Sequence, residues 1–212
     1  MNSIDTVTLE VADLSAATRF YSTVLGPDSP HLRLRAAGDP TTGFRGFALS
    51  LVVSQPGNVD ALVDRALAAG ATTLKTAAKS LWGYGGVVQA PDGTILKVAT
   101  AAKKDTGPVT RDVDEFVLLL GVDDVKATKQ FYADRGLSVG RSFGSKYVEF
   151  ASAPGHVKLA LYKRRGLAKD VGVSAEGTGS HRLVLSGAAS PCRDLDDFVW
   201  EASSHAPLTT TA

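Results

Sequence analysis

Two stretches of this chain run on one pattern. Val11-Ala-Asp-Leu-Ser-Ala-Ala-Thr-Arg-Phe-Tyr21 matches Val122-Asp-Asp-Val-Lys-Ala-Thr-Lys-Gln-Phe-Tyr132, with Asp13 on Asp124, Ala16 on Ala127 and Phe20-Tyr21 on Phe131-Tyr132. Each follows an apolar strand and precedes a turn, at Leu25-Gly26 and Arg135-Gly136. A second pair lies further along each copy. Ala90-Pro-Asp-Gly-Thr-Ile-Leu-Lys97 and Asp194-Leu-Asp-Asp-Phe-Val-Trp-Glu201 both turn on an Asp and run into a short apolar strand, one ending on lysine and the other on glutamate. The order strand, helix, Asp turn, strand therefore occurs twice. A duplicated supersecondary unit restricts the chain to folds built from like halves, so it is read before any single element.

Between the copies, Thr100–Asp112 is polar, carries Gly107-Pro108 and has no hydrophobic period, as a linker does. The 212 residues then divide into a domain over 1–101, a linker over 102–113 and a second domain over 114–212. Charge is balanced, with Lys+Arg 23 against Asp+Glu 22, so no net field favours nucleic acid or an acidic membrane surface. The longest apolar runs, such as Phe116–Leu120, are too short to span a bilayer. The first residues carry no basic-then-apolar signal segment. The single cysteine, Cys192, rules out an internal disulfide and a thiolate zinc cage. These features lead us to expect a soluble, cytoplasmic protein with neither nucleic acid nor membrane as partner.

Local structure is legible in the first copy. Val7, Leu9 and Val11 alternate with Thr6, Thr8 and Glu10 as in a half-buried strand. Asp13 is placed to cap a helix whose apolar face is Leu14, Ala17, Phe20, Tyr21 and Val24, stopped at Gly26-Pro27. A second helix is predicted from Val59 to Ala69. Further strands are expected at Phe47–Val53, Val87–Gln89 and Ile95–Ala99. In the second copy they are expected at Phe116–Val122, Tyr147–Ala151, Val157–Tyr162, His181–Leu185 and Phe198–Ala202. Phe20, Tyr21, Phe131 and Tyr132 read as core. The copies are incomplete in opposite ways. The first has little between its Phe-Tyr pair and its middle strand, and the second has no helix between its middle strand and its Asp turn. Such complementary losses suggest halves that pack as a pseudo-dimer.

The stretches VTLEVADLSAATRFYSTVLG, NVDALVDRALAAGATTLK, WGYGG with APDGTILKVA, and the second FY and DLDDFVWEA together resemble the vicinal oxygen chelate superfamily, the glyoxalase/bleomycin-resistance/dioxygenase group. The resemblance covers nearly the whole chain. It implies an α+β fold of two glyoxalase-like domains, built from βαβββ modules whose curved mixed sheets form half-barrels flanked by helices. It does not choose a reaction, because the fold hosts many. It also implies where a divalent metal would sit: on side chains opening the first strand, opening the middle strand and closing the last strand of a module. Imidazole and carboxylate there leave open positions for substrate oxygens.

In the first copy these positions fall on Thr6, near Ala48 and on Lys97, none of them a metal ligand. In the second they fall on Val117, His181 and Glu201. His181 and Glu201 are thus the candidate metal ligands and the candidate catalytic pair, with Glu115, Glu149 or His156 available as a third ligand if the strand register differs. Trp82 and Tyr84, in a glycine-rich loop, are candidates to stack on a flat ligand; Lys97 and Thr6 are candidate substrate contacts. Trp200 is expected in the core. His31 and His205 carry no signal, and Cys192 has no base at recognisable spacing. The chain has no phosphate-binding glycine loop, His-Glu-x-x-His or Gly-x-Ser-x-Gly.

The resemblance and these substitutions favour a protein that binds a small organic molecule in a β-sheet cleft without a metal. One alternative is a metal-dependent lyase, isomerase or dioxygenase using His181 and Glu201. Another is a metal-free enzyme with one of them as general base. A homodimer is compatible with each.

Overall fold

The structure, a computed structural model, describes residues 3–27, 29–37, 39–187 and 190–202. The first half runs β1 (Ile4–Val11), α1 (Leu14–Leu25), β2 (Leu32–Ala36), β3 (Thr41–Gly43), β4 (Phe47–Val52), α2 (Pro56–Ala68), β5 (Thr72–Ser80), β6 (Gly83–Gln89) and β7 (Ile95–Thr100). The second runs β8 (Glu115–Val122), α3 (Val125–Asp134), β9 (Val139–Phe143), β10 (Tyr147–Phe150), β11 (Lys158–Lys163), α4 (Arg164–Val171), β12 (Gly177–Gly179), β13 (Leu183–Gly187), β14 (Cys192–Arg193) and β15 (Val199–Ala202). This is the expected α+β architecture of mixed sheets with flanking helices. None of these helices is long and apolar enough to cross a membrane.

The repeated Asp residues do what an N-cap requires. Asp13 accepts a hydrogen bond from the Ala16 amide at 2.8 Å, and Asp124 accepts from the Lys126 and Ala127 amides. Those amides hold the Asp124 carboxyl below its usual range. Gly26, at φ 93°, ends α1 in a backbone region that side chains disfavour. α2 starts at Pro56, three residues before the expected start, because Pro is pre-set for the first helical turn. β5 and β9 have no apolar alternation: both are largely exposed edge strands. α4 was not foreseen either; it is short and begins Arg-Arg-Gly, a weak helical sequence.

The strands assemble across the repeat. An eight-stranded sheet has the order β5-β6-β7-β4-β8-β11-β10-β9, a five-stranded sheet the order β14-β15-β13-β1-β2, and β3 pairs with β12. β4 of the first half lies antiparallel to β8 of the second, with Ser50 opposite Val117. β1 lies antiparallel to β13, with Thr6 opposite Ser186. The boundary at residues 102–113 thus divides the sequence but not the hydrogen-bonded ladders, which cover edges that each half would otherwise expose. The connecting segment is pinned. Gln55 accepts from the Thr106 and Gly107 amides and donates to the Gly107 and Pro108 carbonyls. The Thr110 amide donates to Asn58.

One apolar core joins both sheets to α1, α2 and α3, through Val7, Leu9, Leu49, Leu51, Leu118, Leu120, Leu183, Leu185 and Trp200. Tyr21 and Tyr132 are buried in it as expected, and Phe20 with them; Phe131 is only partly buried. Both hydroxyls find an aspartate of the repeated turn: Tyr21 donates to Asp92 at 3.0 Å and Tyr132 to Asp194 at 2.6 Å. Burial first, and the neighbouring carboxylate second, push both phenols well above their ordinary range. Burial also raises the Asp194 carboxyl. The Asp turns are therefore anchors that tie each half's first helix to its last strand.

Candidate functional site

Strand alternation gives each sheet a second face, turned away from that core, and the sequence-predicted positions collect there in two rows. In the eight-stranded sheet, Ser50 pairs with Lys97 on one side and Val117 on the other. In the five-stranded sheet, Ser186 pairs with Glu201 on one side and Thr6 on the other. Each row combines residues of both halves. Each has a serine in the middle-strand place, where Ala48 and His181 were expected. His181 instead precedes β13 by two residues, off the row.

The first row is covered. α4 lies over it and packs Leu167, Ala168 and Val171 against Ala48, Val117, Leu119 and Ala160. The Lys97 ammonium donates to Asp170 of α4 at 2.6 Å. Lys75 reaches over the carbonyls of Lys169 and Asp170 at the helix C-terminus, where a cation is favourable. Beside α4 a groove of about 340 Å³ remains, and it brings together Trp82, Tyr84 and Lys97 over Gly85 and Gly86. Trp82 is 87% exposed at the β5–β6 turn, while the Tyr84 hydroxyl is used, donating to Asp60 at 2.7 Å.

Of the second row, Glu201 lines a cavity of about 720 Å³, together with Glu10, Arg35, His181, Val184, Arg193 and neighbouring residues. Arg35, on β2 directly opposite Glu10, binds two carboxylates at once. Its Nε and Nη2 donate to Glu10 at 3.0 and 2.6 Å, and its Nη1 donates to both Glu201 oxygens at 2.9 and 3.1 Å. Hydrogen bonding to Glu10, ahead of Glu201, holds the guanidinium above its ordinary value. At the rim, Arg182 and Asp197 have φ of 52° and 67°, a backbone region sparsely used by residues with side chains. Sequence reading missed Arg35 and Glu10. The signal was present in Leu32-Arg-Leu-Arg-Ala36, whose alternation marks a strand with arginines on the outer face.

The donor set does not fit a metal. His181 has a backbone carbonyl against each ring nitrogen, Arg45 O at Nδ1 and Asp196 O at Nε2, and it stacks on Phe198 with centroids 4.0 Å apart. Glu201 has both oxygens on Arg35, and its row partners are Ser186 and Thr6. The alternative third ligands have other partners. Glu115 and Glu149 flank the Lys158 ammonium at 2.8 and 3.8 Å, Glu149 also accepts from the Tyr147 hydroxyl, and His156 lies 3.3 Å from Asp5. Among the described residues no three His, Cys, Asp or Glu side chains gather to hold an ion. His205 lies outside the described residues. Trp200 is buried as expected, and its indole donates to the Tyr132 hydroxyl at 3.3 Å.

No protein-family model matches the chain, and no curated protein does. Solved structures do. Glyoxalase I from Zea mays is similar at a TM-score of 0.60 and 14% identity, over 95% of this chain and 91% of that one. A point variant of the same enzyme gives 0.62 and 15%, over 95% and 92%. A candidate dioxygenase from Bacillus subtilis gives 0.57 and 15%, over 94% and 84%. At such identities it is the fold that is shared, and it extends over both halves. With the duplicated modules and the paired rows, it gives this chain the fold of these glyoxalase-type structures.

Proposed function

We propose that the protein binds a small polar organic molecule, without a metal, on the open face of the five-stranded sheet. The observation that carries this reading is the Glu10–Arg35–Glu201 bridge on the floor of the roughly 720 Å³ cavity. Its volume suits a small ligand. Four acids line it (Glu10, Asp39, Asp197 and Glu201) against two arginines, Arg35 and Arg193, so hydroxyl or amine donors on a ligand find acceptors there. The names of the similar structures, glyoxalase I and a candidate dioxygenase, suggest metal-dependent chemistry. The residues in the ligand places oppose it here: Glu201 is neutralised by Arg35, His181 is engaged at both nitrogens, and Thr6 and Ser186 are poor ligands. A metal-free general-base role for Glu201 is the second reading, and the same ion pair weighs against it, since Arg35 engages both of its carboxylate oxygens.

Ligand-observed NMR against a panel of small amines and polyols tests the proposal, alongside elemental analysis of untagged protein. Binders are expected whose affinity survives chelator and falls about tenfold in Glu201→Gln and Arg35→Met. Stoichiometric metal lost in His181→Ala, or binders indifferent to both cavity variants, would overturn it.

A further inference from the structure

The Asp turn before the last strand occurs in both halves, and the two copies close with the same hydrogen bonds. The Ala90 amide donates to the Thr94 carbonyl and the Gly93 amide to the Ala90 carbonyl; the Asp194 amide donates to the Phe198 carbonyl and the Asp197 amide to the Asp194 carbonyl. Gly93 and Asp197 therefore hold the same place, and both have positive φ, 87° and 67°. Glycine adopts that conformation freely, whereas a residue with a Cβ does so at a cost. The first copy uses the glycine. The second puts a carboxylate there, on a residue that is exposed and lines the roughly 720 Å³ cavity.

The carboxylates of this cavity are not equally engaged. Glu10 and Glu201 share Arg35. Asp197 and Asp39 have their backbone carbonyls bonded, by Arg193 and Arg182 respectively, but among the described residues no ion pair or hydrogen bond engages either carboxylate. The lining thus carries two more carboxylates than guanidiniums, which repels an anion and draws in a cation. A charged N–H donor also bonds a carboxylate more strongly than a neutral hydroxyl does. Pro40 and Val199 offer apolar contact to a carbon body. Resting on the reading of this cavity as the binding site, we infer that its ligand is a small aliphatic ammonium ion, and that Asp197 accepts from the ammonium and sets the preference for charge.

The test uses probes of one size, butylamine, 1-butanol and butyrate, titrated into the full-length protein at low salt and followed by ligand-observed NMR. Butylamine is expected to saturate, with 1-butanol and butyrate each weaker by about tenfold or more, and added salt should weaken the amine and not the alcohol. Asp197→Asn removes the charge and keeps the shape, and Asn enters the left-handed region as Asp does. The variant should therefore fold, with an unchanged circular dichroism spectrum, and bind butylamine no better than 1-butanol. Wild-type affinity for butylamine in Asp197→Asn would overturn the proposal. So would 1-butanol or butyrate binding as tightly as butylamine; if that affinity still fell in Glu201→Gln, the cavity would stand as a site for another class of ligand. Absence of any saturable probe sensitive to Glu201→Gln would remove the site and this inference together.

Discussion

The row Lys97–Ser50–Val117 in the eight-stranded sheet and the row Glu201–Ser186–Thr6 in the five-stranded sheet occupy equivalent places in a duplicated fold. They have met different ends. The second half inserted α4 after β11, and that helix buries the first row under leucine, alanine and valine. Lys97 in β7 then helps anchor the covering helix through Asp170. Among the described residues no helix covers the second row, and Glu201 of β15 helps hold Arg35 at the wall of the open cavity. Where one face of a sheet is sealed by its own chain, a side chain in a ligand's place becomes structural. Where the face stays open, its charges must be satisfied by each other and by whatever enters.

The sharpest way to break this contrast is to unpack α4. Leu167→Ala removes a fully buried side chain and is expected to cost about 2–5 kcal/mol, read from the denaturant midpoint. A loss within about 0.5 kcal/mol, the range of ordinary surface changes, would mean that α4 is a loose cover and that the first row is accessible.

The next effect concerns the anchors common to both halves. Tyr21 and Tyr132 are raised in the folded protein above the ordinary phenol value of 10.0. Below that value both states keep the proton, and stability is unaffected. As pH rises through it the unfolded chain ionises first, so stability should fall. Chemical denaturation across pH 8 to 11 should show this fall, and Tyr132→Phe should shallow it. A pH-independent midpoint would contradict the burial of both phenols.

Lys97→Met should have a smaller effect. The Lys97–Asp170 pair is partly solvated, so a double-mutant cycle with Asp170→Asn is expected to give a coupling of about 0.5 kcal/mol and no more than about 1. Coupling near zero would leave α4 held by packing alone. Trp82→Ala, at an exposed turn, should change stability by less than about 0.5 kcal/mol. If it instead altered binding of the ligands that Glu201→Gln weakens, the groove beside α4 and the open cavity would have to be treated as one site.

The repeat, the caps at Asp13 and Asp124, the Phe-Tyr pairs and the Asp turns were all legible in the chain, because each rests on local spacing: a cap reaches an amide three residues on, and a strand alternates every second residue. Thr6, Lys97, Val117 and Glu201 fall into the two paired rows for the same reason. Their grouping was not legible. Reading each copy as its own domain set Thr6 beside Lys97 and Val117 beside Glu201, whereas β1 pairs with β13 and β4 with β8, exchanging the partners. Pairing between strands more than 60 residues apart in sequence depends on which edges are left unpaired in the packed molecule, and no local pattern records that. Tertiary structure alone likewise decided that α4, from a short and weakly helical sequence, would fill one face, and that Arg35 would bring Glu10 and Glu201 together on the other. The sequence by itself determined the modules and the outward-facing residues; burial and edge pairing, which are properties of the whole chain, determined which face closed and which stayed open.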